Sequence, residues 1–370
     1  MFWKYKSATG YAQQKSIAKA KEAFEDILKI LPDDYYRHLN HKIYMHAGIF
    51  YGKQMNMDKA EKFFNMSWEL SKKFYQNHPL RSEKRVISEK KDFEAEFCHN
   101  KGAVPADADQ CEKAEELLLQ SLKIKLELLG KNSIHPDIGL RYHALGNVYL
   151  VLMQPQKAVE YQEKAMEHFK SSPLNNLEAT YQSMAICFEK QGNIKDCVKH
   201  YQMALETATK AYPSCHPKLA EYKRRIACAY LHQRNLDEAR KYLDEALAMY
   251  QKNDTTDEIL HHQLAHCHAD FGQLFLMQGE RSAAIGQLET AFQYEVEKNN
   301  FEHRDTYYCY SLLAQIHGQL LKFPAAIGLM TAAMEILPEN THRSESRVAN
   351  DLRLLEYWKQ IVQGNVVMLH

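Results

Sequence analysis

Between Ile138 and Glu167, in IGLRYHALGNVYLVLMQPQKAVEYQEKAME, apolar residues return every three or four positions in two runs. That period lays the apolar side chains along one stripe of a helix, so the stretch predicts two helices with a short turn between them. Pro155 falls in the break, where its missing amide donor costs little. On the first run Gly146 precedes Tyr149 by three residues, and on the second Ala158 and Ala165 are seven apart. Seven residues make almost two helical turns, so the two alanines share a face that leaves room for a second backbone. Tyr149 fills the space beside them.

The same unit recurs along most of the chain. On each second helix a small residue returns at Ala20, Ala60, Ala114, Ala158, Cys197, Ala239, Ala284 and Ala326, at intervals of 40, 54, 44, 39, 42, 45 and 42 residues. Seven residues after each stands Ile27, Ser67, Ser121, Ala165, Ala204, Ala246, Ala291 or Ala333, and between the two lies a bulky residue: Phe24, Phe64, Leu118, Tyr201, Leu243, Leu288 or Met330, with Tyr161 one place early in the fourth unit. The preceding helices carry Ala8, Gly48, Gly146, Ala185, Ala227, Gly272 and Ala314, followed three residues later by Tyr11, Tyr51, Tyr149, Phe188, Tyr230, Phe275 and His317. Aromatics in such register read as core packing and not as a platform for stacking bases.

This pattern resembles the tetratricopeptide repeat family across essentially the whole chain. That family's unit is 34 residues; the longer units here, of about 42, look like the kinesin-light-chain type, with His78-Pro79, His135-Pro136 and His216-Pro217 punctuating helix starts. Pro32 and Pro338 match the family's helix-ending proline. The resemblance implies an all-α, right-handed solenoid of about eight helix pairs over residues 1–341, starting almost at Met1. Residues 342–363, with RSESRVANDLRLLEYWKQIV, predict a helix capping the last repeat's apolar edge, and 364–370 a frayed tail. The third unit is degenerate, with an insertion at about 80–110: a helix near 84–99, a mobile loop through Asp109, then a second helix from Cys111. Its charge run reads either as a solvated excursion or as a docking or modification site.

Length and charge add limits. At 370 residues the chain exceeds the ~250–300 at which single cores stop growing, a limit that repeats escape because each unit packs on its neighbours. Lys plus Arg equals Asp plus Glu at 47 each, which argues against a general nucleic-acid or membrane surface. No stretch approaches the roughly eighteen apolar residues that cross a bilayer, and MFWKYKSATGYAQQK lacks the apolar run of a signal peptide. Eight scattered cysteines without C-x-x-C spacing point to reduced thiols in a cytosolic or nuclear compartment, and a cytoplasmic protein is the expectation.

Catalytic signatures are missing: no Walker loop, no GxGxxG after a strand, no G-x-S-x-G and no kinase set. No cofactor and no metal are expected. His262 and His266 lie four apart within HHQLAHCHAD and share a helix face, but a stable metal site needs further ligands, and a pH-sensitive wall is the other reading. The resemblance implies instead that first helices line a concave groove that receives peptides or partner helices. The positions flanking each small residue are Met45, Ile49, His143, Asn147, Gln182, Ile186, Arg224, Cys228, His266, Gln273, Ser311 and Gln315, with Glu189, Arg225 and His232 beside them. Asn, Gln and Arg can hold an extended backbone or a carboxylate. The family's Asn-Asn pair is replaced at each unit, for example by His143-Ala144 and Arg224-Arg225, which puts the usual light-chain cargo in doubt. Lys223, Arg224 and Arg225 read either as a contact for an acidic peptide or as a solvated run. The expectation is a non-enzymatic adaptor for a protein or peptide partner; a peptide-sensing regulator or an accessory subunit of an enzyme complex are the alternatives.

Overall fold

The computed structural model describes residues 17–30, 37–54, 56–103, 108–170, 174–253, 258–296, 303–336 and 346–363. The fold is all-α. The expected positions Ala8, Tyr11, Pro32 and Pro338, the loop at 104–107 and the tail at 364–370 lie outside the described residues. The chain divides into two compact units, residues 1–191 and 192–370.

The first unit holds α1 (Ile17–Ile30), α2 (Arg37–Lys53), α3 (Met57–Gln76), α4 (Lys84–Gly102), α5 (Ala108–Leu129), α6 (Pro136–Val151), α7 (Pro155–Phe169) and α8 (Leu174–Lys190). Helices α2 and α3, α4 and α5, and α6 and α7 form the packed hairpins. The second unit holds α9 (Ile194–Ala211), α10 (Pro217–His232), α11 (Leu236–Gln251), α12 (Glu258–Gln278), α13 (Arg281–Val296), α14 (His303–Gln319), α15 (Phe323–Ile336) and α16 (Ser346–Val362). Its hairpins are α10 with α11, α12 with α13, and α14 with α15.

Helix starts follow from local chemistry. Asn56, Asn193 and Asn235 each stand before a second helix and accept a hydrogen bond from the backbone N–H three residues on, which satisfies one otherwise orphaned donor. At two of the His-Pro pairs the histidine does this work: Nδ1 of His135 accepts from Asp137 N–H and that of His216 from Lys218 N–H, with proline in the first turn. His78 makes the same bond to Leu80 N–H, yet the next helix begins only at Lys84, so this pair closes a local turn instead. After α6, α8, α10, α12 and α14 the residue seven past the small slot lies in the left-handed region: Met153 (φ 55°), Gly192 (72°), Arg234 (58°), Gly279 (82°) and Leu321 (58°).

The small columns lie against neighbouring backbone. Ala158, Ala165, Ala239, Ala246, Ala284, Ala291, Ala326 and Ala333 are all fully buried. Ser67 and Ser121 stand in that column for a reason the spacing did not reveal: each hydroxyl donates, at 2.6 Å, to a main-chain carbonyl of the preceding helix, His41 and Ala95 respectively. Two expectations change. The bulky slot of the fourth unit is filled by Gln162, fully buried against Gly146, and not by Tyr161, which stacks on Tyr149 instead. The first helix of the third unit is present as α4, with Gly102 in the small slot against Ala114 and Leu118. Its extra length is helical, added at the N-terminal end of α4. Helix α16 packs Val348, Leu355 and Trp358 onto Tyr307, Ala314 and Met330. Gly318 makes this possible, because a Cβ there would lie 2.4 Å from the indole.

Candidate partner-binding face

In the first unit the residues flanking the small slots of α2, α4, α6 and α8 form the candidate face. Met45 is buried, its sulfur 3.8 Å from Asn100 Nδ2, and Ile49 is half-buried. His143 and Asn147 are brought together and tied to Gln162. The His143 ring meets Gln162 Oε1 through Nδ1 at 2.8 Å and Asn147 Nδ2 through Nε2 at 3.2 Å. Asn147 Oδ1 accepts from Gln162 Nε2 and from Ser183 of α8, both at 3.0 Å. Burial lowers the His143 pKa, so this network is neutral near pH 7. Gln182, Ile186 and Glu189 lie half-buried along α8.

Beneath this face sits a charge cluster that joins α4, α5 and α6. Arg141, 0% exposed, donates to Glu96 at 2.6 Å, to Ser121 Oγ at 3.1 Å and to the Asp137 carbonyl at 3.0 Å. Lys125, 3% exposed, reaches Asp92 at 2.6 Å, Glu96 at 2.9 Å and Asp137 at 3.1 Å. Burial pushes the carboxyls of Glu96 and Asp137 up, but Arg141 and Lys125 prevail and hold both below the usual range. Shared partners of this kind let buried cations remain charged.

In the second unit the polar side chains of successive first helices pair with one another. Arg224 of α10 donates to Asp270 of α12 at 2.6 Å, with both side chains buried, and the Cys228 thiol lies 3.2 Å from the same carboxylate oxygen. Lys223 is paired with Glu245, so two members of the expected basic cluster are already neutralised; Arg225 is half-buried and His232 exposed. Gln273 accepts from Tyr308 Oη at 2.5 Å. Buried Asp351 of α16 accepts from Tyr307 and Ser311 at 2.6 Å and from Gln315 at 2.9 Å. His266 meets His262 through the Nε2 atoms at 3.1 Å, while His268 turns to Gln287. Among the described residues no three His, Cys, Asp or Glu side chains converge as a metal would require, and no helix is long and apolar enough to cross a membrane.

The sequence profile of the tetratricopeptide repeat family matches residues 176–252. The fold resembles the apo form of RapI, with a TM-score of 0.55 at 13% identity, covering 80% of this chain and 97% of that one. It also resembles a tetratricopeptide repeat protein from Parabacteroides merdae ATCC 43184, with a TM-score of 0.53 at 12% identity over 86% of this chain and 99% of that one. Residues 176–252 match the tetratricopeptide repeat, and the fold is that of a tetratricopeptide-repeat protein. Among curated proteins the chain is similar to the clustered mitochondria protein homolog of Emericella nidulans. It is 22% identical over 219 residues, which are 57% of this chain and 17% of that protein, so the chain spans a small part of that relative's length.

Several residues that shape the face of the tetratricopeptide array escaped the sequence pattern. Arg141, Lys125 and Glu96 resemble the many exposed charges of amphipathic helices, and Asp270 and Asp351 carry no local signature. Many of their ties span long stretches of sequence, 33 residues from Lys125 to Asp92, 45 from Arg141 to Glu96, 46 from Asp270 to Arg224 and 40 from Asp351 to Ser311. Gln162 was the one readable signal, since it occupies the position four after Ala158 where every other unit places a bulky apolar residue.

Proposed function

We propose that this protein is a non-enzymatic adaptor that holds a peptide or helical segment of a partner protein in the groove lined by its first helices. The observation that carries the reading is the serial packing of like hairpins, which sets corresponding first-helix positions side by side on adjacent repeats. A tetratricopeptide fold goes with protein–protein contact, and the fully buried small columns make each hairpin a rigid mount for that row. In the first unit the positions open to such a segment are Ile49, Gln182, Ile186 and Glu189, and in the second, taken by itself, Arg225 and His232, all at least partly exposed to solvent. Arg224, Ser311, Gln315, His143 and Asn147 act behind that surface as inter-helix ties, and Met45 as a buried support. None of the eight cysteines is in a disulfide, which goes with the reducing cytoplasm.

The test is affinity capture from native lysate with the full chain, repeated with Ile186→Asp and Glu189→Arg. A partner whose recovery falls at least about tenfold with these substitutions, while helix content and melting temperature hold, is the expected result. Undiminished recovery with both variants would remove the groove from the reading.

A further inference from the structure

The charged run RSEKRVISEKK at residues 81–91 is a stretch for which the repeat gives no account. It leads into α4 and sets five cations against two carboxylates. From Pro79 to Asp92 every residue is exposed except Val86, which alone anchors the stretch to the core. Glu83 stands before the helix with extended backbone and gives no side-chain cap, so the first turn lacks a contact that commonly holds a helix start. With so few buried contacts, local opening of these turns costs little.

Ser88 lies in this stretch, exposed, in the second turn of α4. Arg85 stands three residues before it and Lys84 four, while Lys90 and Lys91 follow at two and three. Among the serines and threonines whose side chains are described, no other has a lysine or arginine three residues before it. Three of these cations are held only by pairs open to solvent: Arg85 meets Glu89 at 3.0 Å, Lys90 meets Glu94 at 3.7 Å and Lys91 meets Glu127 at 3.3 Å. Such pairs contribute little, so a carboxylate-lined enzyme site competes for them readily. Arg141 and Lys125, buried among their partners, are not available in this way.

We propose that Ser88 is a phosphorylation site for a basophilic kinase, one whose substrate groove sets carboxylates against cations on both sides of the acceptor. This goes beyond the adaptor reading and stands without it. The arginine three residues before the hydroxyl offers such a groove a bidentate partner, and charge pattern is how kinases choose among substrates. The phosphoryl group comes from the kinase's nucleoside triphosphate. The bond from Ser88 Oγ to phosphorus forms as the γ-phosphorus parts from its bridging oxygen; the hydroxyl proton passes to the kinase's base and the nucleoside diphosphate leaves. When the helix re-forms, the phosphate shares a face with Lys84, Arg85 and Lys91, three or four residues away. Asp92, on the same face, is already neutralised by Lys125. A phosphate charge of about −1.5 to −2 removes most of the basic excess of the run.

The test incubates the full chain with a purified protein kinase C catalytic domain, magnesium and the triphosphate, and maps the product by mass spectrometry. The proposal expects Ser88 to be modified nearly completely. Arg85→Gln should slow that modification at least about tenfold, Ser88→Ala should remove the phosphate from this segment, and Ser82→Ala, a neighbour with Pro79 three residues before it, should leave the rate on Ser88 unchanged. Circular dichroism and melting temperature check that each variant is folded. Ser88 left unmodified in the full chain would overturn the proposal, and the more pointedly if a peptide of residues 81–93 is modified under the same conditions, because the helix then withholds the hydroxyl. Equal rates for Arg85→Gln and the unaltered chain would overturn it as well. So would faster modification of Ser88 by an acidophilic kinase, which reads carboxylates after the acceptor.

Discussion

The two compact units solve the same problem, how to tie one repeat to the next, with different polar chemistry. In the first unit Arg141 and Lys125 sit under the first helices among Glu96, Asp92 and Asp137, with Lys125 shared by three carboxylates and Glu96 by both cations. The surface above carries neutral His99 and His143, which with Asn147, Leu140, Val148 and Val151 line a cleft. In the second unit the ties run across the face itself. Arg224 holds Asp270, Gln273 holds Tyr308, and Asp351 gathers three donors. At the position just after the small slot, Ile49 and Ile186 stay partly open, whereas Asn147, Gln273 and Gln315 are tied to neighbouring helices. Position within a repeat is therefore a weak guide to ligand contact until partners are known.

The largest expected effect separates the shared from the exclusive ties. Asp270→Ala would leave Arg224 buried with no carboxylate, and should cost about 3–5 kcal/mol in urea unfolding. Asp92→Ala removes one of three carboxylates from Lys125, at a side chain 55% exposed, and should cost about 1 kcal/mol or less. Equal losses would dissolve the distinction between the units.

A smaller effect tests the neutral surface of the first unit. Burial disfavours protonated His99 in the folded chain, whereas an unfolded histidine takes up its proton near pH 6.5. Between those values the unfolded chain binds more protons, so stability is fully present above about pH 6.5 and is lost as pH falls toward about 4. Arg141, Glu96, His143 and Asp137 act on this ring in addition. His99→Gln should flatten that limb by about 2–3 kcal/mol in unfolding curves measured across the range. Glu96 and Asp137, with lowered pKa values, add a separate loss below about pH 4 in both proteins. An unchanged slope in the variant would show that His99 takes up its proton as freely in the folded chain as in the unfolded one.

The smallest effect asks where the units are alike. Met153 and Arg234 hold the same left-handed turn position, with φ of 55° and 58°. A non-glycine residue there costs about 1–2 kcal/mol, offset in part by glycine's greater chain entropy. Met153→Gly and Arg234→Gly should each stabilise by about 0.5–1 kcal/mol, seen as a raised melting temperature. Matching gains would place the common feature in the backbone; unequal gains would show that the turns differ between units.

The sequence by itself determined the hairpins. The small columns, the bulky residue between them, the asparagine and His-Pro helix starts and the turn glycines at 192 and 279 all arise within about ten residues of one another. Helical geometry of 3.6 residues per turn converts such spacing directly into a shared face. Much less of the candidate face was legible. The pattern located His143, Asn147 and Arg224 on the first helices, but not that Gln162 and Asp270 would occupy their polar groups. It read 84–99 as a helix, but not that the helix would end on the small slot and leave a cleft beside Val151. Only the tertiary structure decided these points. Which carboxylate meets which cation depends on how one hairpin is rotated and shifted against the next, and thus on side chains some 40 residues apart in a chain whose local periodicity repeats unchanged.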